Sequence, residues 1–214
     1  MIDTAEFIRA NTALIAPPLV PEIRLHLATE VVPLWRKTEE ELEAQGVPPP
    51  YWAFAWAGGQ ALARYILDNP DSVRSGAILD FGSGSGLVAV AAMKAGAASV
   101  LAADIDTFAA TAIALNADAN AVAIDTTTDD VIGTDSPWGA ILCGDMCYER
   151  PVAERLLQWL RERAANGTLV LLGDPGRSYF PKSGVEKLAA YYVQTTRELE
   201  DRDIRETSVY RLCP

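Results

Sequence analysis

From Gly58 to the end of the chain, short apolar runs alternate with segments in which apolar residues recur at helical spacing. The runs have the length of buried strands, and Gly96 and Gly167 close two of the helical segments. Strands that alternate with helices in this way form βαβ units, which build a parallel sheet covered on both faces. We therefore predict an α/β fold with a doubly wound sheet. Its ligands should bind at the carboxyl ends of the strands.

Individual elements follow from the same patterns. Strands are predicted in "SGAILDF", "ASVLAADI", "AVAID", "WGAILCGD", "TLVLLGDP" and "IRETSVYRL", and helices in "GGQALARYILDN", "GLVAVAAMKAG", "TFAATAIALNADAN", "VAERLLQWLRERAANG" and "VEKLAAYYV". The first fifty residues have a different character. "FIRANTALIAPPLVPEIRLHLA" suggests two short helices separated by a proline-broken turn, and "TEEELEAQG" an acidic helical piece. We predict an N-terminal helical extension over residues 1–50 and a single α/β domain over residues 51–214.

Composition limits the partners that this chain can have. The 214 residues carry a formal net charge of −11, and an acidic protein lacks the basic face that nucleic acid or an anionic membrane requires. We expect neither of these as a partner, whereas a lysine-bearing protein is permitted. Cys143 and Cys147 have no histidine near them to complete a metal site, so no metal is predicted. The acids in "MIDTAEFIRANT" do not suit a targeting sequence, which favours a cytoplasmic location.

The stretch "ILDFGSGSG" joins a predicted strand to a predicted helix through three alternating glycines, Gly82, Gly84 and Gly86. Glycines at such a junction allow a sharp turn and leave room for a ligand to approach the backbone. The next predicted strand ends at Asp104, where a carboxylate can accept hydrogen bonds from both ribose hydroxyls of a nucleotide. This arrangement predicts a site for an adenosine-containing cofactor.

Asp80, two residues ahead of the first glycine, distinguishes between two classes of cofactor. A dinucleotide would place its negatively charged pyrophosphate against this loop, close to a like charge. S-adenosylmethionine has no phosphate, and its sulfonium and α-ammonium groups are compatible with a neighbouring carboxylate. The G-x-G-x-G spacing is also one residue shorter than the dinucleotide form. Both features favour S-adenosylmethionine.

Three stretches carry a family resemblance. "LDFGSGSG" followed by "VLAADID" resembles the first two motifs of the seven-β-strand class I methyltransferases. "GDMCYER" resembles the D-x-x-Y motif of the protein-lysine methyltransferase branch of that class. "PPYWAFAWAGGQALARYILDNP", read with "ADIDTFAATAIALNADAN" and "ILCGDMCYE", is similar to the electron transfer flavoprotein beta-subunit lysine methyltransferases. The similarity runs from about Pro48 to about Tyr148.

The resemblance implies a Rossmann-like seven-stranded sheet and an S-adenosylmethionine-dependent protein-lysine N-methyltransferase, with S-adenosylhomocysteine as product. It implies the beta subunit of electron transfer flavoprotein as the protein substrate, through exposed lysines. It also implies roles at matching positions. The cofactor would contact Trp56, Asp80, Gly82, Ser83, Gly84, Gly86, Asp104 and Gly144, its adenine would contact Thr128 or Asp129, and the incoming lysine would meet Asp145 and Tyr148.

The expected chemistry assigns these side chains different tasks. A free lysine has a pKa near ~10.4 and must lose its proton before it can accept a methyl group. An apolar mouth formed by Trp52, Phe54 and Trp56 would lower that pKa by desolvation and could stack on the cation. A carboxylate has the opposite effect, so we assign Asp145 to capture and orientation of the amine. Tyr148 would help to form the lysine channel.

Other interpretations of the sequence remain open. The same chemistry could act on a different acceptor, such as a large-subunit ribosomal protein or a small amine. A nicotinamide-dependent oxidoreductase is a further class, which Asp80 and the glycine spacing disfavour. A third is a cofactor-binding fold that serves only as a protein-interaction module.

Overall fold

A computed structural model describes residues 3–29, 49–74, 76–195 and 203–214. Its main element is a seven-stranded sheet. The strands are β3 Ala77–Phe81, β4 Ser99–Ala103, β5 Asp125–Thr127, β6 Ala140–Gly144, β7 Leu169–Asp174, β8 Val185–Gln194 and β9 Ile204–Leu212. Their order across the sheet is β5-β4-β3-β6-β7-β9-β8. Strands β3 to β7 are parallel, and β9 is antiparallel to both of its neighbours. The predicted doubly wound, Rossmann-like sheet of seven strands is confirmed.

Helices cover both faces of this sheet. They are α2 Ala57–Asp68, α3 Leu87–Lys94, α4 Thr107–Ala119 and α5 Arg150–Ala165, while α1 Thr4–Asn11 packs on α4. Successive strand residues point to opposite faces, so Ile78 packs with the helices α2 and α3 while Leu79 packs with α5. Because both faces of the sheet are buried, its central strands appear in the sequence as short, mainly apolar runs. In the described part of the chain, no helix is long and apolar enough to cross a membrane.

The prediction of a helix in "VEKLAAYYV" was wrong, because this stretch forms the edge strand β8. Lysine, leucine and alanine favour a helix, but β8 pairs with β9 from Val185 opposite Leu212 to Gln194 opposite Ile204. A long ladder of this kind overrides local propensity. An irregularity between Lys187 and Ala189 also interrupts the register, which obscures the period-two pattern expected of a strand.

The second short helix predicted in the N-terminal extension was also wrong. Residues Leu25–Leu27 form the strand β2, which pairs with β1 (Ala13–Ile15) in a two-stranded antiparallel sheet. The main-chain N–H of His26 donates to Asn116 Oδ1 of α4 over 2.7 Å, and Leu25 is fully buried. Contacts with the main domain therefore hold this segment extended. The predicted helical piece "TEEELEAQG" lies outside the described residues.

Candidate active site

The turn after β3 is built on backbone conformations that only glycine adopts readily. Gly82, Gly84 and Gly86 have φ angles of 65°, 53° and 79°. A Cβ atom at Gly82 would lie 2.2 Å from Sδ of Met146, so the residue after Asp145 packs directly on the turn. A Cβ at Gly84 would meet only the Cα of Trp52, at 3.9 Å. The turn thus has one packed side and one side with room for a ligand, at the carboxyl edge of the sheet.

Asp80 lies beneath this turn and is fully enclosed. Its Oδ2 accepts hydrogen bonds from the Ser83 hydroxyl over 2.6 Å and from the Ala89 N–H over 3.0 Å. Burial raises the pKa of Asp80 to about 7, partly opposed by these two hydrogen bonds. Asp80 therefore joins the turn to helix α3. Because burial destabilises its ionised form, a cationic group placed nearby would be favoured and a phosphate disfavoured.

A second acid faces the turn from the end of β4. Oδ2 of Asp104 accepts the Gly84 N–H over 2.8 Å, and Oδ1 accepts the Asp106 N–H over 3.0 Å. Burial raises the pKa of Asp104, and it raises that of Asp106 to about 6. Carboxylates on two sides of a glycine turn provide acceptors for hydroxyl and ammonium groups and would repel a pyrophosphate. These side chains fit S-adenosylmethionine.

Thr128 and Asp129, the predicted adenine contacts, are exposed and follow β5 at the same edge of the sheet. The carbonyl of Thr127 accepts the Asp104 N–H over 3.1 Å, which places this loop next to the acid assigned to ribose. Oδ2 of Asp129 accepts a hydrogen bond from the Thr127 hydroxyl over 3.1 Å, so this carboxylate already has a partner within its own loop. Contact with adenine stays a prediction for both residues.

Asp145 follows the end of β6 and is held from several directions. Its backbone is left-handed, with φ 60°, and its N–H donates to the Gly173 carbonyl over 2.9 Å. Oδ2 accepts the N–H of Gly59, in the first turn of α2, over 2.9 Å. Oδ1 accepts from both Nε and Nη2 of Arg177, over 3.0 and 2.7 Å. The carboxylate is thus fixed by a helix N-terminus on one side and a guanidinium on the other.

Glycines on both elements bring helix α2 this close to the sheet. A Cβ at Gly58 would lie 2.2 Å from the Gly173 carbonyl oxygen, and a Cβ at Gly144 would lie 3.0 Å from the Cα of Gly59. Both distances are shorter than side-chain contacts normally allow. Gly144 was predicted to allow approach of the cofactor. In the structure its missing side chain makes room for α2, and cofactor contact at this position stays a prediction.

Three aromatic side chains form a rim around the Asp145–Arg177 pair. The ring of Tyr51 lies 5.8 Å from those of both Trp56 and Tyr148. The guanidinium of Arg177 lies over the Trp56 ring, 5.6 Å from its centre. Tyr51 and Tyr148 are exposed, whereas Trp56 is half-buried. A carboxylate surrounded by aromatic rings suits the aliphatic stem and charged end of a lysine side chain.

Trp52 and Phe54, predicted as parts of the substrate mouth, lie in the protein interior. They are 2% and 5% exposed, with Trp52 stacked on Phe108 at 6.2 Å and Phe54 against Trp56 at 6.0 Å. These rings form the support behind Trp56. In the same segment, Tyr51 is exposed and Trp56 is half-buried. Direct contact of Trp52 or Phe54 with substrate is therefore not supported by their positions.

The sequence patterns did not identify Arg177, Asp174 or Tyr51 as parts of the site. Asp174 ends β7, and its Oδ1 accepts the N–H groups of Gly176 and Arg177, each over 2.7 Å. Its Oδ2 is buried with no hydrogen-bond partner among the described residues, and burial raises its pKa to about 6. The available signal was position, since Asp174 lies near the end of the predicted strand "TLVLLGDP" and Arg177 comes two residues after it, at the edge of the sheet where ligands bind.

Comparison with known proteins agrees with this geometry. Residues 60–141 match the family model of ribosomal protein L11 methyltransferase (PrmA). An electron transfer flavoprotein beta subunit lysine methyltransferase from Xenopus laevis is 41% identical over 97% of this chain and 86% of its own length. The protein of the same description from Homo sapiens is 36% identical, over 97% and 81%.

A solved structure has a similar fold. Magnesium protoporphyrin IX methyltransferase from Synechocystis, solved with bound S-adenosylmethionine, superimposes with a TM-score of 0.52. It covers 72% of this chain and 77% of that structure, at 13% identity. A likeness at this level of identity shows a shared methyltransferase fold. The proteins from Xenopus laevis and Homo sapiens match almost the whole of this chain at 41% and 36% identity. The chain therefore belongs to the electron transfer flavoprotein beta subunit lysine methyltransferase family.

Proposed function

We propose that this enzyme transfers methyl groups from S-adenosylmethionine to lysine side chains of the beta subunit of electron transfer flavoprotein. Membership of the family supports lysine methylation, and the names of the relatives supply the acceptor. The net charge of −11 favours an encounter with a lysine-bearing surface. The observation that carries the proposal is the fixed Asp145 carboxylate, which stands beside the glycine turn inside an aromatic rim.

The glycine turn and its two acids are proposed to hold the cofactor. Asp104 would accept the ribose hydroxyls, Gly82 and Gly84 would border the methionine part, and Asp80 would favour its ammonium group. The hydroxyl of Ser83 is directed to Asp80, so Ser83 would act by shaping the turn. When bound, S-adenosylmethionine supplies a methyl group on a positive sulfur, which an unprotonated amine can displace.

Asp145 is proposed to receive the amine and set its direction. A charged acceptor fixed on both oxygens orients an incoming N–H donor without having to reorganise, and alignment of this kind is worth up to about 7–11 kcal/mol in favourable cases. Trp56 and Tyr148 would exclude water from the amine and pack along the lysine stem. The proton of the ammonium form leaves to solvent before the site closes.

A ribosomal protein is the main alternative acceptor. The family model of ribosomal protein L11 methyltransferase matches residues 60–141, which include the glycine turn and Asp104. The residues assigned to the acceptor, Asp145, Tyr148 and Arg177, lie beyond the matched region. The match therefore concerns the residues proposed to bind the cofactor, and it does not favour a ribosomal acceptor.

Methyl incorporation tests this proposal. With labelled S-adenosylmethionine, the wild type should methylate purified electron transfer flavoprotein beta subunit, and mass mapping should place the label on lysines. Asp145→Ala should abolish transfer while calorimetry shows retained binding of S-adenosylhomocysteine. Asp71→Ala, which removes an exposed acid far from the carboxyl ends of the strands, is the matched control and should transfer normally.

Two results would contradict the proposal. Retained turnover in Asp145→Ala would remove this residue from the reaction. Preferential labelling of a ribosomal protein or a small amine, in competition with the flavoprotein subunit, would assign the enzyme to another acceptor.

A further inference from the structure

The ion pair of Asp145 and Arg177 lies where the substrate amine is proposed to bind, and its charge affects the reaction. Only an unprotonated amine can accept a methyl group, whereas a free lysine has a pKa of about 10.4. A lone carboxylate next to the amine would raise that pKa, because it stabilises the ammonium form. An acid that captures lysine well would therefore oppose the loss of its proton.

Arg177 is placed to offset this effect. It donates from Nε and Nη2 to a single oxygen of Asp145, and the two side chains are only 17% and 10% exposed. Solvent screens a pair with this little exposure much less than it screens a surface pair. The positive charge consequently stands within hydrogen-bonding distance of the carboxylate that is proposed to receive the lysine.

The structure also holds this cation in position. The main-chain N–H of Arg177 donates to Oδ1 of Asp174 over 2.7 Å, which fixes the backbone just after β7. Its guanidinium lies over the ring of Trp56, 5.6 Å from the centre. Contacts of both the main chain and the guanidinium distinguish Arg177 from a surface arginine that is free to leave the site.

We propose that Arg177 offsets the charge of Asp145 in the substrate site, so that the carboxylate orients the lysine amine without retaining it as an ammonium ion. The proposal rests on the proposed lysine methylation and makes Arg177 a positioning residue that acts through Asp145. It extends that function by explaining how one site can attract the lysine ammonium ion and also bind the unprotonated amine that accepts the methyl group.

The other titratable groups that face the pair keep one charge state in the relevant pH range. Asp174, from β7, has a pKa of about 6 because it is buried, so it is ionised above pH 7. Burial raises the pKa of the thiols of Cys143 and Cys147 and of the Tyr148 phenol, so these stay protonated. The first turn of α2 contributes N–H groups and no acid. Asp80, on the cofactor side of the site, has a pKa of about 7, so above pH 8 it is ionised as well and the further pH dependence is assigned to the substrate amine.

Without Arg177, two carboxylates, Asp145 and Asp174, would act on the amine. We expect Arg177→Gln to raise the pH midpoint of methyl transfer by about one to two units. The rate at pH 7 should then fall roughly ten- to a hundredfold and recover as the pH rises. Arg177→Lys keeps the cation but loses the two-pronged donor, so it should keep the wild-type midpoint at a reduced rate.

The test is a single-turnover rate at saturating flavoprotein beta subunit, measured from about pH 7 to about pH 10, because rates in the bound state report the pKa of the complex. Arg150→Gln is the matched control. It removes a cation that also lies over an aromatic ring, that of Tyr179, but is exposed and paired with Glu154. Its pH profile should match that of the wild type.

A second measurement keeps the proposal testable if Arg177→Gln does not fold. The pKa of an ε-¹⁵N-labelled lysine peptide can be followed by NMR in complex with the wild type and S-adenosylhomocysteine. The proposal predicts a value no higher than that of the free peptide, and a raised value would overturn it. An equal loss of rate at every pH in Arg177→Gln would overturn it as well. Absence of transfer by the wild type would instead contradict the proposed function itself.

Discussion

Replacing Gly58 by alanine should push helix α2 away from the carboxyl ends of β6 and β7. The added Cβ would lie 2.2 Å from the carbonyl oxygen of Gly173 and 2.5 Å from Oδ2 of Asp145. The Gly173 oxygen is a backbone atom, and the Asp145 carboxylate is held by hydrogen bonds from Gly59 and Arg177. The helix must therefore move by roughly an ångström to restore ordinary contact distances, and the hydrogen bond from the Gly59 N–H to Asp145 should lengthen or break.

The size of the effect follows from these contacts. Overpacking a close interface costs about 1–3 kcal/mol, and a hydrogen bond to a charged group is worth about 1.5–3 kcal/mol. Together they should lower the free energy of unfolding by roughly 2.5–6 kcal/mol and, at about 2–4 °C per kcal/mol for a chain of this size, the Tm by roughly 5–24 °C. Because Asp145 loses one of its supports, methyl transfer should fall by about tenfold or more in the folded fraction.

The neighbouring glycine provides the control. A Cβ at Gly59 would have no atom within 4 Å, so Gly59→Ala should keep the fold and raise stability by up to about 1 kcal/mol through helix propensity. Both variants can be compared by calorimetric unfolding and by methyl incorporation. Equal Tm and equal activity in the two variants would refute the claim that the approach of α2 positions Asp145.

The remaining predictions concern the cofactor side of the site. Asp104→Ala should weaken binding of S-adenosylhomocysteine by at least about tenfold, since hydrogen bonds to a charged group are lost, and an unchanged Kd in calorimetry would remove Asp104 from the site. Asp80 has a folded pKa of about 7, above its ordinary value of 3.8. Its protonated form therefore stabilises the fold at low pH, and this contribution is lost as the pH rises through 7. Asp80→Asn should abolish that loss, an effect of up to about 4 kcal/mol between pH 4 and 8. Urea unfolding of the variant and the wild type at both pH values checks it, and parallel pH dependences would show that Asp80 is not the group responsible.

The parallel core of the fold could be predicted because its signals are local. Strands such as Ala140–Gly144 are continuous apolar runs, and the turn at Gly82 contains glycines that suit a tight bend. The edge strand β8 could not be predicted in this way. Its conformation depends on pairing with β9, which lies beyond it in the chain, while its own residues favour a helix.

The same distinction between local and long-range signals applies to the candidate site. Asp80, Asp104 and Asp145 stand at the ends of predicted strands, where a doubly wound sheet places its ligands, so position together with the family resemblance identified them. The partner of Asp145 could not be found by position, because Arg177 follows a different strand and reaches Asp145 only in the folded sheet. The close approach of Gly58 to Gly173 has the same long-range origin.

The most direct test of the account is a crystal structure of the enzyme with S-adenosylhomocysteine and a lysine-bearing peptide of the flavoprotein subunit. The account predicts the adenosyl group against the glycine turn, with its ribose hydroxyls on Asp104. It predicts the lysine nitrogen within hydrogen-bonding distance of Asp145, with Arg177 still bound to that carboxylate. A lysine that enters elsewhere, or a cofactor away from Asp104, would contradict it.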